Sequence, residues 1–232
     1  MKRSKRYSNL SKLIEQKEYS LDEAVNLIKQ TAQAKFDESV EIAIRLGIDP
    51  RRSEQAIRGT VSLPHGLGKP VRVLVITKGE KAVQAEKAGA DYVGYEDYLE
   101  KIQKENWLEF DVLVATPDSM KDLGKLGKLL GPRGLMPNPK SGTVTMEIEQ
   151  TVTEIKAGKI DFRVDKAGII HSSIGKASFE ANKLKENIRS LMQTIIRMKP
   201  ASAKGTYLRS IYVSNTMGPG IKLVPSSQEF QD

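Results

Sequence analysis

The stretch GTYLRSIYVSNTMGPGIKL, residues 205–223, predicts a strand that ends in a loop of defined shape. Side chains alternate along its first half, so we expect one face of Tyr207, Arg209, Ile211 and Val213 and another of Leu208, Ser210 and Tyr212. Residues 214–220 interrupt this alternation, and Ile221-Lys222-Leu223 resumes it. Because two glycines flank a proline in the interruption, the backbone there is restricted in shape and can approach another molecule closely.

Two residues of this loop have chemistry suited to contact with a partner. Thr216 offers a hydroxyl, and Met217 is a large apolar residue where a plain hairpin would favour a polar one. A tight turn whose methionine packs back onto its own sheet explains the same residues equally well. The rest of the chain has to decide between these two interpretations.

The composition bounds the class of protein. With 232 residues the chain can form one large domain or two small ones, and either could bury an adequate core. Hydrophobic residues make up 39%, and no apolar run approaches the length of a membrane span. The start MKRSKRYSNL is basic but lacks the apolar core of a signal peptide, so we expect no secretion. The absence of cysteine excludes disulfides, thiolate metal sites and a cysteine nucleophile.

The charge balance favours a polyanionic partner. The chain has 37 basic and 29 acidic residues, which gives a net charge of +8 and a pI near 9.4. Nucleic acid is favoured over a membrane because no basic amphipathic anchor stands out. A general polyanion-binding protein, without preference among RNAs, remains an alternative.

The first third of the chain predicts helix and antiparallel strand. We expect the basic tail containing Lys2, Arg3, Lys5 and Arg6 to be mobile. Residues 20–23, SLDE, form a capping box that opens a helix. The clean alternation of residues 40–46 is typical of a half-buried strand in an antiparallel sheet, and residues 57–63 predict a second strand.

The pattern changes beyond the breaker cluster of residues 64–70. The apolar run of residues 71–76 predicts a strand buried on both faces. Predicted helices (79–90 and 95–107) and strands (91–93 and 110–115) alternate after it. This succession indicates a parallel α/β domain.

A basic, glycine-rich stretch follows, and then the first pattern returns. Residues 121–142 have a local charge of +4, and residues 131–140 cannot form a regular helix or central strand. After a helix ending near Gly158 we expect strands at 160–164 and 167–171, and then a long amphipathic helix. The chain therefore reads as α+β, then α/β, then α+β, in two domains.

The sequence argues against enzyme chemistry. Neither a dinucleotide-binding nor a P-loop glycine motif follows the predicted strands. The two histidines, His65 and His171, lie far apart in dissimilar settings, and no G-x-S-x-G motif is present. We expect no enzyme, cofactor or metal site. A nucleotide-binding α/β enzyme or regulator that uses the middle domain is the alternative.

The remaining features suit binding to a folded RNA, which proteins recognise through shape, phosphates, hydroxyls and stacked bases. Phe36, Thr216 and Met217 have that chemistry, and the candidate phosphate contacts are Lys35, Arg52 and Lys166. A core position at the start of a strand explains Phe36 as well. The predicted strand end of His171 favours a polar surface residue over a catalytic base.

Three long segments carry a resemblance to a known family. They are residues 34–69, AKFDESVEIAIRLGIDPRRSEQAIRGTVSLPHGLGK; residues 131–144, GPRGLMPNPKSGTV; and residues 214–223, SNTMGPGIKL. These segments resemble the L-one family of bacterial and plastid large-subunit ribosomal proteins. The likeness covers almost the whole chain. It departs at Pro219-Gly220, where many relatives have Pro-Ser, and in the short extension of residues 226–232.

The resemblance implies a fold and a function. It implies a split antiparallel α/β-sandwich domain from both termini, residues 1–66 and 159–232, with an inserted Rossmann-like parallel domain at residues 67–158. It further implies a monomer when free that binds large-subunit ribosomal RNA, forms the mobile stalk, assists release of exit-site tRNA and represses its own messenger RNA. The location would be the bacterial cytoplasm or the plastid stroma, on the ribosome and not on a membrane.

The resemblance also implies roles for particular residues. The family's RNA-binding loop falls on Thr216, Met217 and Gly218, its first-strand phenylalanine on Phe36 beside Lys35, and its C-terminal-strand serine on Ser210. With Arg52, Lys166 and His171 these form the expected RNA-binding set. Secondary RNA contacts are expected at Lys128, Arg133 and Lys140, and hinges at Gly66, Gly68 and Gly158.

Overall fold

The computed structural model describes residues 4–226 and residue 230. Its helices are α1 Lys5–Ser11, α2 Leu21–Thr31, α3 Glu80–Lys87, α4 Glu96–Glu105, α5 Met120–Leu123, α6 Gly127–Leu130, α7 Ile148–Ala157 and α8 Ala181–Arg197. Its strands are β1 Ser39–Leu46, β2 Arg58–Ser62, β3 Val73–Ile76, β4 Tyr92–Gly94, β5 Val112–Ala115, β6 Lys159–Arg163, β7 Ile169–Lys176, β8 Leu208–Asn215 and β9 Ile221–Leu223. Short 3-10 turns lie at Ser53–Gln55, Pro117–Ser119, Gly124–Leu126 and Pro139–Ser141.

The chain divides into two compact units. The first unit comprises residues 1–68 and 160–232, and the second unit comprises residues 69–159. The expected mixture of an antiparallel α+β part and a parallel α/β part is confirmed. No helix among the described residues is both long enough and apolar enough to cross a membrane.

An antiparallel four-stranded sheet in the order β7-β1-β8-β9 organises the first unit. Burial alternates along β1 as the sequence predicts, with Val40, Ile42, Ile44 and Leu46 in the core. Helices α2 and α8 bury their apolar faces in the same core. Strands β2 and β6 pair in a separate two-stranded sheet. One face of the larger sheet is therefore covered, and the other meets solvent.

Strand β8, in the stretch of residues 205–223, contains a bulge that the alternation of its sequence did not predict. Arg45 pairs with Ser210, but the next residue, Leu46, pairs with Leu208, so the register shifts at Arg209. As a result Leu208 is buried and Arg209 is exposed, and the predicted faces of these two residues are wrong. A bulge inserts one residue and reverses the alternation beyond it. From Ser210 to Val213 the predicted alternation holds, and it continues to Asn215, where we expected the loop to have interrupted it.

Two further predictions need correction. The strands predicted at 160–164 and 167–171 are present as β6 and β7, but β7 begins at Ile169 and continues to Lys176 beside β1, whereas β6 pairs with β2. The predicted mobile tail is partly helical: Lys5 and Arg6 belong to α1, whose N-cap Ser4 accepts a hydrogen bond from Tyr7 N. Lys2 and Arg3 lie outside the described residues.

A parallel three-stranded sheet in the order β4-β3-β5 forms the centre of the second unit. Every residue of β3 is buried, as its continuous apolar run predicts. Val73 and Val75 pack with α3 and α7, whereas Leu74 and Ile76 pack with α4 and the short helices of residues 120–130. The predicted irregular stretch 131–140 contains only turns and the start of a 3-10 turn, because its prolines and glycines exclude longer elements.

Candidate nucleic-acid interface

The solvent-facing side of the four-stranded sheet, called the sheet face below, is polar. Its central side chains are Glu41, Ala43 and Arg45 of β1, His171 and Ser173 of β7, and Ser210, Tyr212 and Ser214 of β8. His171 and Tyr212 both pair with Ala43, so a small side chain separates an imidazole from a phenol. The His171 side chain is 64% exposed and Tyr212 is 42% exposed. Both rings are therefore open to a partner.

Two loops meet at the end of the sheet where β1 begins and β8 ends; we call residues 34–38 and 216–220 the paired loops. The backbone N of Thr216 donates to Ser39 O at 3.0 Å, and Ser39 N donates to Thr216 Oγ1 at 3.0 Å. The Thr216 hydroxyl also lies 3.2 Å from Ser39 O, as a donor. This hydroxyl therefore joins the second loop to the start of β1, directly after the first loop, in addition to facing solvent.

Each of the paired loops presents one large apolar side chain to solvent. Phe36 is 55% exposed and Met217 is 48% exposed. The two alternatives considered above, a core position for Phe36 and a methionine packed back onto its sheet, are therefore wrong. Exposed apolar side chains next to a polar face are a feature of binding surfaces.

Glu38 holds the paired loops together from beneath. It is only 2% exposed, and its carboxylate accepts hydrogen bonds from Ala34 N and Met217 N, each at 2.9 Å. Its backbone carbonyl accepts from Ala177 N at 2.8 Å. Such charge-assisted bonds are stronger than neutral ones. One buried carboxylate thus fixes the backbone of Met217 relative to the segment that carries Phe36.

The end of β8 is anchored to the core in the same way. Asn215 is buried, and its Nδ2 donates to Ile28 O at 2.7 Å and to Thr31 Oγ1 at 3.1 Å. Gly218 N donates to Asn215 O at 3.0 Å. A Cβ at Gly218 would lie 3.2 Å from the Asn215 Cβ, so a larger residue would crowd the turn. The shape of the loop is therefore determined before any partner binds.

The candidate phosphate contacts divide between the two ends of the sheet. Lys35 is exposed in the first of the paired loops. Arg52 lies in the loop after β1, 3.9 Å from Asp49, and Lys166 lies in the turn before β7. The rise of β1 separates these two ends by about 25 Å. The expected set therefore forms an elongated surface along the sheet face, with His171 and Ser210 between its ends.

The turn that carries Lys166 is ordered by a carboxylate. Asp165 Oδ1 accepts hydrogen bonds from Ala167 N and Ile169 N, each at 2.8 Å, and Oδ2 lies 3.7 Å from His171 Nε2. The hydrogen bond from Ile169 N, followed by that from Ala167 N, lowers the pKa of Asp165 against the opposing effect of burial. Asp165 therefore orders the turn that carries Lys166 and lies beside the His171 ring.

The secondary contacts and the net charge belong to different units. Lys128, Arg133 and Lys140 are all exposed, and all three lie in the second unit. Residues 69–159 contain 14 basic and 14 acidic residues, so the second unit has no net charge and the whole +8 belongs to the first. The local charge of +4 at residues 121–142 did not indicate this asymmetry, because acidic residues elsewhere in the second unit balance it.

The three expected hinge glycines share a backbone feature. Gly66, Gly68 and Gly158 have φ of 61°, 69° and 112°. These values lie in the region that L residues seldom adopt. Gly158 is the C-cap of α7, and a Cβ at Gly68 would lie 2.6 Å from the Phe179 ring. Their role as hinges remains a prediction.

Three residues of this surface were missed from the sequence. Tyr212 and Arg45 stand out only when the register shows which residues share the sheet face, although their alternation with buried residues could have indicated them. The role of Glu38 could not be predicted, because nothing in the sequence distinguishes a buried acidic residue before a strand from an exposed one. Elsewhere in the described chain no group of three His, Cys, Asp or Glu side chains could hold a metal ion.

The arrangement defines a class of protein: a two-unit α/β protein with a hydrogen-bonded, partly apolar loop pair beside a polar sheet face. The ribosomal protein L1p/L10e family matches residues 28–219, most of the chain. The chain belongs to this family and is therefore a ribosomal protein of the large subunit. The family is one of structural ribosomal proteins and not of enzymes.

Proposed function

We propose that this protein binds large-subunit ribosomal RNA through the sheet face and the paired loops, and thereby forms the mobile stalk near the exit site. The observation that carries this proposal is the pair of exposed apolar residues, Phe36 and Met217, held by a hydrogen-bonded backbone in the basic unit. The family membership supports the ribosomal setting.

The chemistry of the surface suits a folded RNA. Apolar side chains can cover unstacked bases, whereas hydroxyls and backbone groups can reach 2′-hydroxyls and phosphates. Ser173, Ser210 and Ser214 supply hydroxyls along the sheet face, and Arg45 supplies a guanidinium for phosphate. Because Glu38 and Thr216 order the paired loops in the free protein, binding loses less conformational entropy.

Three finer functions extend this proposal. In the ribosome the stalk would assist release of deacylated tRNA from the exit site. The free protein, as a monomer, would bind a similar fold in its own messenger RNA and repress translation. It would act in the cytoplasm of a bacterium or in a plastid stroma. What supports these functions is the family membership, together with a loop pair that is ordered by hydrogen bonds before any partner binds.

A binding titration tests the proposal. The protein is titrated with the large-subunit stalk RNA and with an unrelated hairpin of equal length, at two salt concentrations. We expect a strong preference for the stalk RNA that survives the higher salt, because shape recognition adds to the phosphate contacts. Equal and salt-sensitive binding to both RNAs would reduce the protein to a general polyanion binder and overturn the proposal.

A further inference from the structure

The second unit contains a cleft at the carboxyl edge of its parallel sheet. The cleft has a volume of about 550 Å³ and is lined by residues that directly follow β3 and β5. Thr77 and Lys78 come from the end of β3, and Thr116 and Ser119 come from the end of β5. A cavity of this size is within the range of small-molecule sites.

The sheet order places this cleft where parallel sheets commonly bind ligands. From the central strand β3 the chain crosses to β4 on one side and then to β5 on the other. The crevice between β3 and β5 is therefore the point where the strand order reverses. In open α/β sheets, ligands bind outside the carboxyl ends of the strands at this point.

A buried hydroxyl in the cleft has no partner. Thr77 is 2% exposed and lines the cleft, and its Oγ1 makes no hydrogen bond within the described chain. The neighbouring hydroxyls are satisfied: Ser119 Oγ lies 3.0 Å from both Ile76 O and Thr116 Oγ1. Buried hydroxyls are normally hydrogen-bonded, so the unpaired one indicates a missing partner.

The same cleft offers groups for a phosphate. Lys78 and Lys81 line it, and α3 begins beside it at Glu80. Gly79, the N-cap of α3, has a φ of 69° and supplies no side-chain acceptor to the first turn. The backbone N–H groups of that turn and the positive end of the helix dipole both favour an anion.

An adjoining cavity has a mixed lining. Its volume is about 310 Å³, and it shares Lys78, Tyr95 and Asp122 with the cleft. It adds two leucines and four polar or charged residues: Leu99, Leu126, Glu96, Glu100, Gln103 and Lys125. Tyr95 donates to Asp122 at 2.6 Å, and this hydrogen bond raises the pKa of Tyr95 to about 12. Tyr95 therefore remains a neutral phenol between the two cavities, where Lys78 Nζ lies 3.9 Å from the centroid of its ring.

We propose that these two cavities form a binding site for a nucleoside monophosphate, with the phosphate beside Thr77 and the start of α3 and the base beside Tyr95. The charge of the lining selects this class. Three lysines and five carboxylates line the two cavities, and Lys125 pairs with Asp122 at 2.8 Å, so the lining has no excess of positive charge. Such a lining suits one phosphate and ribose hydroxyls, from which carboxylates can accept hydrogen bonds, better than a polyphosphate. The nucleotide could be free or the phosphorylated end of an RNA.

Calorimetric titration of the full chain with AMP and GMP tests the site, with inorganic phosphate and guanosine as partial ligands. We expect saturable binding of one nucleotide per chain and weaker binding of each partial ligand. Thr77→Val keeps the buried volume but removes the hydroxyl, and should weaken nucleotide binding about tenfold. Thr153→Val, in α7 with its hydroxyl bonded to Glu149 O, is the matched control and should leave binding unchanged.

Three results would overturn the proposal. They are no saturable binding up to millimolar nucleotide, equal weakening by Thr77→Val and Thr153→Val, and phosphate binding as tight as that of the nucleotide. A 5′-phosphorylated trinucleotide and its dephosphorylated form, titrated into both variants, distinguish the two sources of ligand. If the phosphorylated trinucleotide binds more tightly than AMP, and Thr77→Val weakens its binding, the ligand is an RNA end. If the trinucleotide binds no more tightly than AMP, the ligand is a free nucleotide. The site lies in the second unit, so its failure leaves the proposed function unaffected.

Discussion

At the scale of single residues, Met217 is the position where binding can be separated from folding. An exposed methionine contributes little burial to stability, whereas a carboxylate in its place would repel phosphates and remove an apolar contact. We predict that Met217→Asp weakens binding of the stalk RNA at least about tenfold, equivalent to roughly 1.4 kcal/mol. Filter binding measures the affinity, and thermal unfolding should show an unchanged midpoint.

Met146→Asp is a matched control for this change. Met146 is 53% exposed, close to the exposure of Met217, but lies in the second unit. Met146→Asp introduces the same charge as Met217→Asp. Because this charge lies outside the paired loops, the RNA affinity should remain nearly unaltered. If both variants lost affinity equally, charge would explain the effect and the loop assignment would fail. Wild-type affinity in Met217→Asp would also refute it.

For Glu38 we expect loss of its charge to weaken RNA binding, whereas net charge alone predicts stronger binding. Neutralising an acidic residue in an RNA-binding protein normally strengthens binding, because repulsion of phosphates falls. An amide at Glu38 offers only one acceptor oxygen to the two N–H groups of Ala34 and Met217. We predict that Glu38→Gln weakens RNA binding by about three- to tenfold and lowers the free energy of unfolding by about 1 kcal/mol.

Glu41→Gln provides the comparison for Glu38. Glu41 is exposed on β1, three residues after Glu38, so its replacement removes the same charge without a buried hydrogen bond. Its stability should remain within about 0.5 kcal/mol of the wild type. Equal effects of the two substitutions on unfolding in urea would show that Glu38 has no special role in ordering the paired loops.

At the scale of elements, the turn between β6 and β7 should depend on pH through Asp165. Its pKa is lower in the folded protein, chiefly because of the hydrogen bond from Ile169 N. The stabilisation is therefore complete above the unfolded pKa of about 4 and is lost as pH falls through the folded pKa. We predict that Asp165→Asn is less stable at pH 7 by about 0.5 kcal/mol, since the side chain is 42% exposed and screened.

The pH dependence separates the charge of Asp165 from its hydrogen bonds. Both backbone N–H groups bond to Oδ1, and an asparagine oxygen can accept both. The difference between Asp165→Asn and the wild type should therefore disappear in urea unfolding well below pH 4. Asp165→Ala should remain destabilised at every pH. A constant difference for the asparagine variant would contradict the assigned electrostatic contribution.

Gly68 lies in the connection between β2 and β3, at a position that needs glycine for two reasons. Its φ is 69°, and a Cβ would lie 2.6 Å and 2.9 Å from carbons of the Phe179 ring. Gly205 has a similar φ of 77° but no atom within 4 Å of a Cβ. We predict that Gly205→Ala costs about 1–2 kcal/mol of unfolding free energy from backbone strain alone. Gly68→Ala should cost a further 1–3 kcal/mol or so from overpacking.

Equal costs in the two alanine variants, measured by urea unfolding, would show that Phe179 moves aside. The contact with Phe179 also refines the expected hinges, because it fixes Gly68 within the first unit. We therefore expect any reorientation to begin after Gly68 and not at it.

The elements show how far the sequence predicts this fold. The buried run of β3 and the alternation of β1 were predictable, because burial on one or both faces determines which residues are apolar. The bulge at Arg209 and the separation of β6 from β7 were not, since both depend on pairing with distant strands. Likewise Phe36 and Met217 were identifiable as candidates, but only the fold shows that Glu38 orders them.

At the scale of the whole molecule, charge and candidate contacts are concentrated in one unit. The first unit has the entire net charge of +8 and every residue of the expected primary RNA-binding set. The second unit is neutral overall and has its own core on both faces of a parallel sheet. Since attraction to phosphates depends on net and local charge, the first unit should account for most of the affinity and its salt dependence.

This division can be tested by removing the second unit. Val164 N donates to Ile57 O at 3.0 Å, so β2 and β6 run antiparallel and the chain leaves and re-enters the first unit at neighbouring points. A flexible linker of about six glycine and serine residues should therefore join Gly68 to Ile160 without strain. We predict that this shortened protein binds the stalk RNA within about threefold of the full chain and with the same salt slope.

The shortened protein must first show a cooperative thermal transition, which establishes that the first unit is folded. Its affinity is then compared with that of a full-length variant in which Lys128, Arg133 and Lys140 are all replaced by glutamine. Both proteins should bind nearly as tightly as the wild type, because the charges they lose lie outside the sheet face and the paired loops. A tenfold or greater loss in both would instead make the second unit a principal RNA contact, since two different changes to the same surface would then have the same consequence.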